Sequence, residues 1–115
     1  MKQRVDIQTL LSHSDNEEQR LASFALLSLG VAESLVSGTM TASEAVATYF
    51  HADNCLYVRR QLRHKTADEI MGRAVQLPDI FDALPVEEAQ CEFQREVAAI
   101  RTLCLSLLDD KRMAA

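Results

Sequence analysis

Apolar residues recur at intervals of three and four from about residue 14 to about residue 108, the spacing that buries one face of an α-helix. The spacing is clearest near the C-terminus, in an apolar seam at Val86, Ala89, Phe93, Val97, Ile100, Cys104 and Leu107. With only 3 Gly and 2 Pro, the 115 residues lack the turn residues of a β-sandwich or barrel. The chain is therefore predicted to form one domain, a compact all-α bundle of about four to five helices.

Helix starts are marked by three capping boxes, in which Ser or Thr precedes Glu by three residues, beginning at Ser14, Thr41 and Thr66. The first box predicts a long helix over about residues 15–37, which Gly38 ends because glycine readily adopts the left-handed conformation. The second box begins a helical stretch over residues 42–64. Asp53 interrupts its apolar face and is predicted to cap a further helix from Cys55 to about His64. Because neither Gly nor Pro occurs there, a single helix over residues 42–64 stays open.

The last part of the chain is divided by its two prolines. Pro78 ends the helix that follows Thr66, and tight turns are predicted to pack onto the core through Ile80, Phe81 and Leu84. A long last helix follows over about residues 86–109, with residues 110–115 as a frayed tail. Residues 1–13 fit either a helical turn or a strand, and a flexible arm is a third alternative.

Composition predicts a cytoplasmic protein that does not enter a membrane. The longest apolar stretch, residues 21–36, is shorter than a membrane span and contains Glu33, and no apolar signal sequence precedes it. The three cysteines form an odd, widely spaced set unlike a disulfide framework. A formal net charge of −5 disfavours general nucleic-acid binding, because phosphates repel an acidic surface.

The first long helix is apolar nearly all round. Leu26 and Leu29 lie outside its main apolar stripe, and small residues form a strip at Ser23, Gly30, Ser34 and Ser37. Such a helix is either central within its own bundle or covered by a second subunit. Because C2 dimers are the commonest oligomers, a homodimer is the predicted form of self-association.

A basic cluster follows the middle of the chain, at Arg59, Arg60, Arg63, His64, Lys65 and Arg73. Residues 59–73 hold five Lys or Arg against two carboxylates, a local charge of +3 in a chain of net charge −5. One interpretation is a binding site for an anionic ligand or RNA. The interpretation favoured by the overall acidity is that the cluster lies against the acidic face of the last helix or of a partner subunit.

Arg59 and His64 are separated by four residues, and this spacing resembles the Arg and His of HEPN-type helical ribonucleases. Members of that family are small all-α dimers whose Arg and His act together across a dimer interface on phosphodiester bonds. The resemblance covers these two residues only, and Arg60 stands where a polar residue is expected after the arginine. It implies that His64 acts in acid–base catalysis and that Arg59 stabilises phosphate charge.

Cys55 is the candidate for a reactive thiol. A position near a helix N-terminus with Arg59 one turn later would lower its pKa, and His51 precedes it by four residues. The alternative is a small buried side chain, the commonest state of a free cysteine. No metal site is predicted, because the pairs of ligands that a closed zinc site needs are missing.

No phosphate loop, dinucleotide fingerprint or nucleophile elbow occurs, and three glycines could not build one. The leading hypothesis is therefore a non-enzymatic, cytoplasmic interaction or regulatory module that associates with itself or with another protein and uses no cofactor. The alternative is a helical ribonuclease or RNA-binding subunit centred on Arg59 and His64. A third, a thiol or metal sensor, would use Cys55 and His51.

Overall fold

The computed structural model describes residues 4–14 and 16–114, with side chains as far as Asp109. Within these residues the chain is helical and contains no strand, so the predicted all-α bundle is confirmed. The helices are α1 (Ile7–Leu11), α2 (Glu17–Ser37), α3 (Ala42–Thr48), α4 (Ala52–Tyr57), α5 (Lys65–Val75), α6 (Leu77–Ala83) and α7 (Val86–Ala114). A π-helical turn, Val58–Leu62, continues α4.

The two long helices form the frame of the bundle. α2 packs along α7, and α5 and α6 pack on α7 as well. The predicted seam of α7 is buried from Ala89 to Leu107, except for the half-buried Phe93, while its first residue, Val86, is 78% exposed. The spacing therefore identified the buried face of α7 correctly, but no described element covers Val86 at its start.

α2 is central in the bundle and still carries apolar residues on its outer side. Phe24 and Ala32 are fully buried, whereas Leu26 is 59% and Val36 is 64% exposed. A Cβ added at Gly30 would meet nothing within 4 Å, so no described part of the chain packs against this residue of the strip. By length and composition α2 could cross a membrane, a test that core helices of soluble proteins also pass.

One of the three predicted capping boxes is confirmed. Thr41 Oγ1 accepts from the backbone N–H of Glu44, and the Glu44 carboxylate accepts from the N–H of Thr41, both at 3.1 Å. The boxes at Ser14 and Thr66 are wrong, because α2 begins two residues later than Ser14 predicts and α5 begins two residues earlier than Thr66 predicts, which places Thr66 inside the helix. Asn16 caps α2 by accepting from Glu18 N at 2.7 Å, and His64 caps α5. Gly38 ends α2 as predicted, with a φ of 80°.

Residues 42–64 form two helices rather than one. α3 ends at Thr48, and α4 begins after His51, which is its N-cap in place of the predicted Asp53. At the break two consecutive side chains, Tyr49 and Phe50, both reach the core at 1% exposure. Their rings pack edge to face at 4.8 Å.

Residues after Pro78 form a helix instead of the predicted tight turns. Pro78 suits the first turn of α6, where its missing N–H costs nothing. Ile80 packs partly on the core, but Phe81 and Leu84 are 41% and 36% exposed, so their predicted burial is wrong. The backbone of α7 continues to Ala114, beyond the predicted end at residue 109.

The N-terminal residues from Arg4 to Leu11 pack on the bundle. Val5 N donates to Thr48 O at 2.6 Å, and Ile7 and Leu11 of α1 are buried. The helical alternative for this segment is thus the one observed, and its described part is not a free arm. The remainder of the predicted arm, residues 1–3, lies outside the described residues.

Candidate functional site

An apolar groove is open on the described surface. It lies between the end of α2, the start of α3, α6 and α7, with a volume of about 990 Å³. Its apolar walls are Val36, Met40, Phe81, Phe93 and Val97. The sequence did not predict this groove, because its walls come from segments far apart in the chain.

The backbone turn at Gly38 and a pair of aromatic rings form the two walls of the groove. The left-handed Gly38 ends α2 and turns the chain into α3, and Met40 N donates to Ser34 O at 3.2 Å across that turn. On the other side, the Phe81 and Phe93 rings pack at a centroid distance of 5.3 Å. The α2–α3 turn and the α6–α7 pair therefore form facing apolar walls.

Charged groups on the rim of the groove are partly paired. Glu33 of α2 and Arg101 of α7 form an ion pair between the two long helices, and both side chains remain about half exposed. Asp82 also lies on the rim and is exposed. The groove thus has an apolar interior with a polar edge, the usual anatomy of a protein-binding patch.

Apolar surface continues from the groove to the junction of α6 and α7. Leu84 is 36% exposed and Val86 is 78% exposed. Val86 lies one helical turn before Gln90, which lines the groove, so the two share one side of α7. We call Leu84 and Val86 the α6–α7 corner.

The basic cluster is mostly open. Arg59, Arg60, Arg63 and Lys65, which we call the basic edge, are exposed, and none makes an ion pair with a described residue. Arg73 differs, because it binds Glu69 and Glu96 at 3.0 Å each. These hydrogen bonds raise the pKa of Arg73. The predicted contact with the acidic face of the last helix is therefore observed for Arg73 and not for the basic edge, whose alternative contact with a partner subunit stays a prediction.

Arg59 and His64 do not share a helix face as predicted. Arg59 lies in the π-helical turn, which ends at Arg63 with a φ of 49°, and a new helix begins after His64. His64 is half-buried, and its Nδ1 accepts from Thr66 N at 3.1 Å. The π-helical turn and the left-handed residue divide the cluster, a change of backbone that side-chain spacing does not reveal. The ribonuclease role implied by the resemblance stays a prediction.

The surroundings of Cys55 do not favour the activated thiol that the sequence suggested, and that role stays a prediction. Burial raises its pKa, and the nearby Arg59 guanidinium lowers it by less. Its Sγ lies 3.8 Å from Phe50 O, in the fourth position of α4 rather than at the helix start. Cys104 is buried in the core, where burial raises its pKa to about 12. Cys91 is exposed on α7.

His51 is part of a hydrogen-bond network that holds the N-terminal segment. Its Nδ1 lies 2.9 Å from an Arg4 guanidinium nitrogen and its Nε2 lies 2.9 Å from Val5 O. Arg4 also pairs with Asp53 at 2.9 Å. Among the described residues no group of three or more His, Cys, Asp or Glu could hold a metal ion, so nothing there supports a metal sensor that uses His51 and Cys55.

We compared the chain with known protein families, curated proteins and solved structures. No protein-family model, curated protein or solved structure matches the chain.

Proposed function

We propose that the protein is a non-enzymatic helical interaction module that associates with a second copy of itself through the apolar groove. The observation that carries the proposal is the concentration of exposed apolar side chains along one face, at Val36, Phe81, Leu84 and Val86. Water-soluble chains expose contiguous apolar surface of this kind mainly where a partner covers it. A regulatory role would follow from competition for this face.

The arrangement of the face suits a second copy. A two-fold interface uses the same patch on both subunits, so the patch must carry both a recess and a group that fills it. Here the groove supplies the recess, and the α6–α7 corner beside it supplies exposed apolar side chains of the right chemistry. Two chains related by a two-fold axis would place each corner at the other chain's groove.

We also propose a cytoplasmic location. All three cysteines are unpaired, and the exposed Cys91 would be open to oxidation outside a reducing compartment. α2, the helix apolar enough to span a membrane, contributes Phe24 and Leu35 to the core. Both observations support the proposal over a secreted or membrane-embedded protein.

Sedimentation velocity from low micromolar to about 100 µM tests self-association. We expect a dimer for the wild type and at least about tenfold weaker association for Val36→Asp, because a carboxylate in an apolar contact must be desolvated. Leu26→Asp is the matched control. It places the same charge at an exposed apolar position of α2 that does not line the groove.

The possible outcomes separate clearly. A wild-type chain that stays monomeric at the highest concentration contradicts self-association. A dimer that Leu26→Asp dissociates and Val36→Asp does not would place the contact elsewhere on α2. Circular dichroism of each variant should match the wild type, because both positions are exposed and neither contributes to the core.

A further inference from the structure

We infer that the basic edge, together with the cleft beside it, binds a segment of single-stranded nucleic acid. The inference does not depend on the apolar groove. It starts from how the arginines of the chain are partnered. Arg4, Arg73, Arg95 and Arg101 each contact a carboxylate, and Arg20 donates to Ser14 O. Arg59, Arg60 and Arg63 contact no carboxylate among the described residues.

This separation is notable in an acidic chain. Seventeen Asp and Glu residues are available, yet residues 54–67 contain none of them and carry every member of the basic edge. The π-helical turn presents Arg59 and Arg60, and the left-handed Arg63 leads directly to Lys65 at the start of α5. Exposed guanidinium groups in a row match the repeated phosphates of a nucleic-acid backbone better than they match one small anion.

Next to the basic edge is a cleft of about 540 Å³ with groups suited to a nucleobase. Arg60 belongs to both the edge and the cleft, so the two are continuous. The half-buried Tyr57 offers an aromatic ring, and Gln8 and Gln61 offer amides that both donate and accept hydrogen bonds. Cationic side chains beside an aromatic ring are the usual combination for binding single strands.

The positions of the carboxylates in the cleft indicate where the phosphates and the base of a nucleic acid would bind. Asp53 is paired with Arg4, and Asp6 accepts from the backbone N–H and the hydroxyl of Thr9. Both lie on the wall formed by the N-terminal segment and the start of α4, whereas Arg59 and Arg63 do not line the cleft. Phosphates are therefore expected along the basic edge, and an uncharged base is expected in the cleft.

Fluorescence anisotropy tests the inference with labelled oligouridylate and oligothymidylate of about 12 nucleotides, the length range of one single-strand site. We expect measurable binding at low salt that weakens steeply as salt rises. The RNA and DNA arms show whether the 2′-hydroxyl contributes to binding.

Variants separate the two parts of the site. Arg60→Gln should weaken binding about tenfold and reduce the salt dependence by about one phosphate contact. Combining it with Arg59→Gln and Arg63→Gln should remove binding. Tyr57→Leu should weaken binding about tenfold without changing the salt dependence, because stacking involves no counterion release. Arg95→Gln, which removes an exposed arginine of α7 that is paired with Glu92, is the matched control and should change affinity less than about twofold.

Three results would overturn the inference. The first is no binding of either oligonucleotide at low salt. The second is equal competition by poly-glutamate of the same length, which would show that the edge recognises an acidic polypeptide instead. The third is equal loss in Arg95→Gln and Arg60→Gln. Val36→Asp should bind the oligonucleotides as the wild type does, so failure of the dimer and failure of this site can be told apart.

Discussion

The surroundings of Asn54 and the apolar groove belong to one bundle, but they differ in burial. Polar groups around Asn54 are buried and hydrogen-bonded, whereas apolar side chains of the groove remain exposed to solvent. Asn54 is 1% exposed, and its amide bonds Ile7 N, Val5 O and Tyr49 O at 3.1, 2.9 and 2.6 Å. The groove, in contrast, leaves Val36 and Phe81 open to solvent. The first region should therefore determine stability, and the second should determine association.

The strongest test of this contrast is Asn54→Ala. The substitution leaves Ile7 N and Tyr49 O without this partner, whereas Val5 O keeps its contact with His51 Nε2. We therefore expect a loss of about 2–3 kcal/mol in the free energy of unfolding. Denaturant unfolding measures it. Asn16→Ala is the matched control: this exposed N-cap of α2 loses one bond to Glu18 N and should cost about 1 kcal/mol. Equal costs for the two variants would contradict a special role for Asn54.

The network around Asn54 also shows where sequence reasoning stops. Helices and Gly38 could be predicted because periodicity and capping are local. Two of the three partners of Asn54, Val5 and Ile7, lie 47 or more residues earlier, and no local pattern indicates such a contact. In the sequence, Asn54 was only a polar residue beside an interruption at Asp53.

The candidate sites were predictable to a smaller degree. The residues of the basic edge could be identified from the sequence. Whether their side chains are exposed depends on which part of the chain packs against them, and residue spacing does not show this. Val86 fits the α7 seam, yet periodicity identifies a face of a helix without showing how far the neighbouring helices extend along it. The π-helical turn was not predicted, because residues 58–62 have ordinary helical composition.

A second test uses alkaline pH. Burial raises the pKa of Tyr49 well above its usual range, and its hydrogen bond to Ser28 at 2.9 Å lowers it by less. The folded protein thus holds this proton more tightly than the unfolded chain, whose tyrosines ionise near pH 10. Stability from this group is complete below about pH 10 and falls by about 1.4 kcal/mol per pH unit above it.

Tyr49→Phe should remove this part of the pH dependence, although it lowers stability at neutral pH by leaving Ser28 without its partner. Cys104, whose pKa burial raises to about 12, contributes a slope of the same sign and keeps the variant sensitive to high pH. Urea unfolding at a series of pH values measures both. A wild type and a Tyr49→Phe variant with the same slope above about pH 10 would contradict the assignment.

Thiol reactivity compares Cys55, which is next to Asn54 in the chain, with Cys91 on the exposed surface of α7. Cys91 is exposed on α7, whereas the half-buried Cys55 has a raised pKa and therefore less thiolate at neutral pH. We expect an aromatic disulfide reagent to modify Cys91 at least about tenfold faster than Cys55. Cys104 should react only when the chain unfolds. Mass spectrometry after partial modification identifies the order, and a Cys55 that reacts first would restore the reactive-thiol hypothesis.

The smallest expected effects come from two glycines of opposite character. Gly38 at the edge of the groove has a φ of 80°, a conformation that a side chain disfavours, so Gly38→Ala should cost about 1 kcal/mol. Gly72 lies inside α5, where a Cβ would meet nothing within 4 Å. Gly72→Ala should therefore stabilise the protein by about 0.5–1 kcal/mol, because alanine lowers the entropy of the unfolded chain.

Association should distinguish these glycines as well. Gly38 fixes the turn that forms one wall of the groove, so Gly38→Ala should weaken the dimer as well as the fold, while Gly72→Ala should leave the dimer unchanged. Thermal unfolding and sedimentation of the same samples measure both properties. The contrary result is that Gly38→Ala lowers stability and Gly72→Ala raises it while both variants associate as the wild type does. That result would show that the α2–α3 turn supports the bundle but not the contact between copies. Loss of association in Gly38→Ala alone would connect the geometry of this turn directly to the groove.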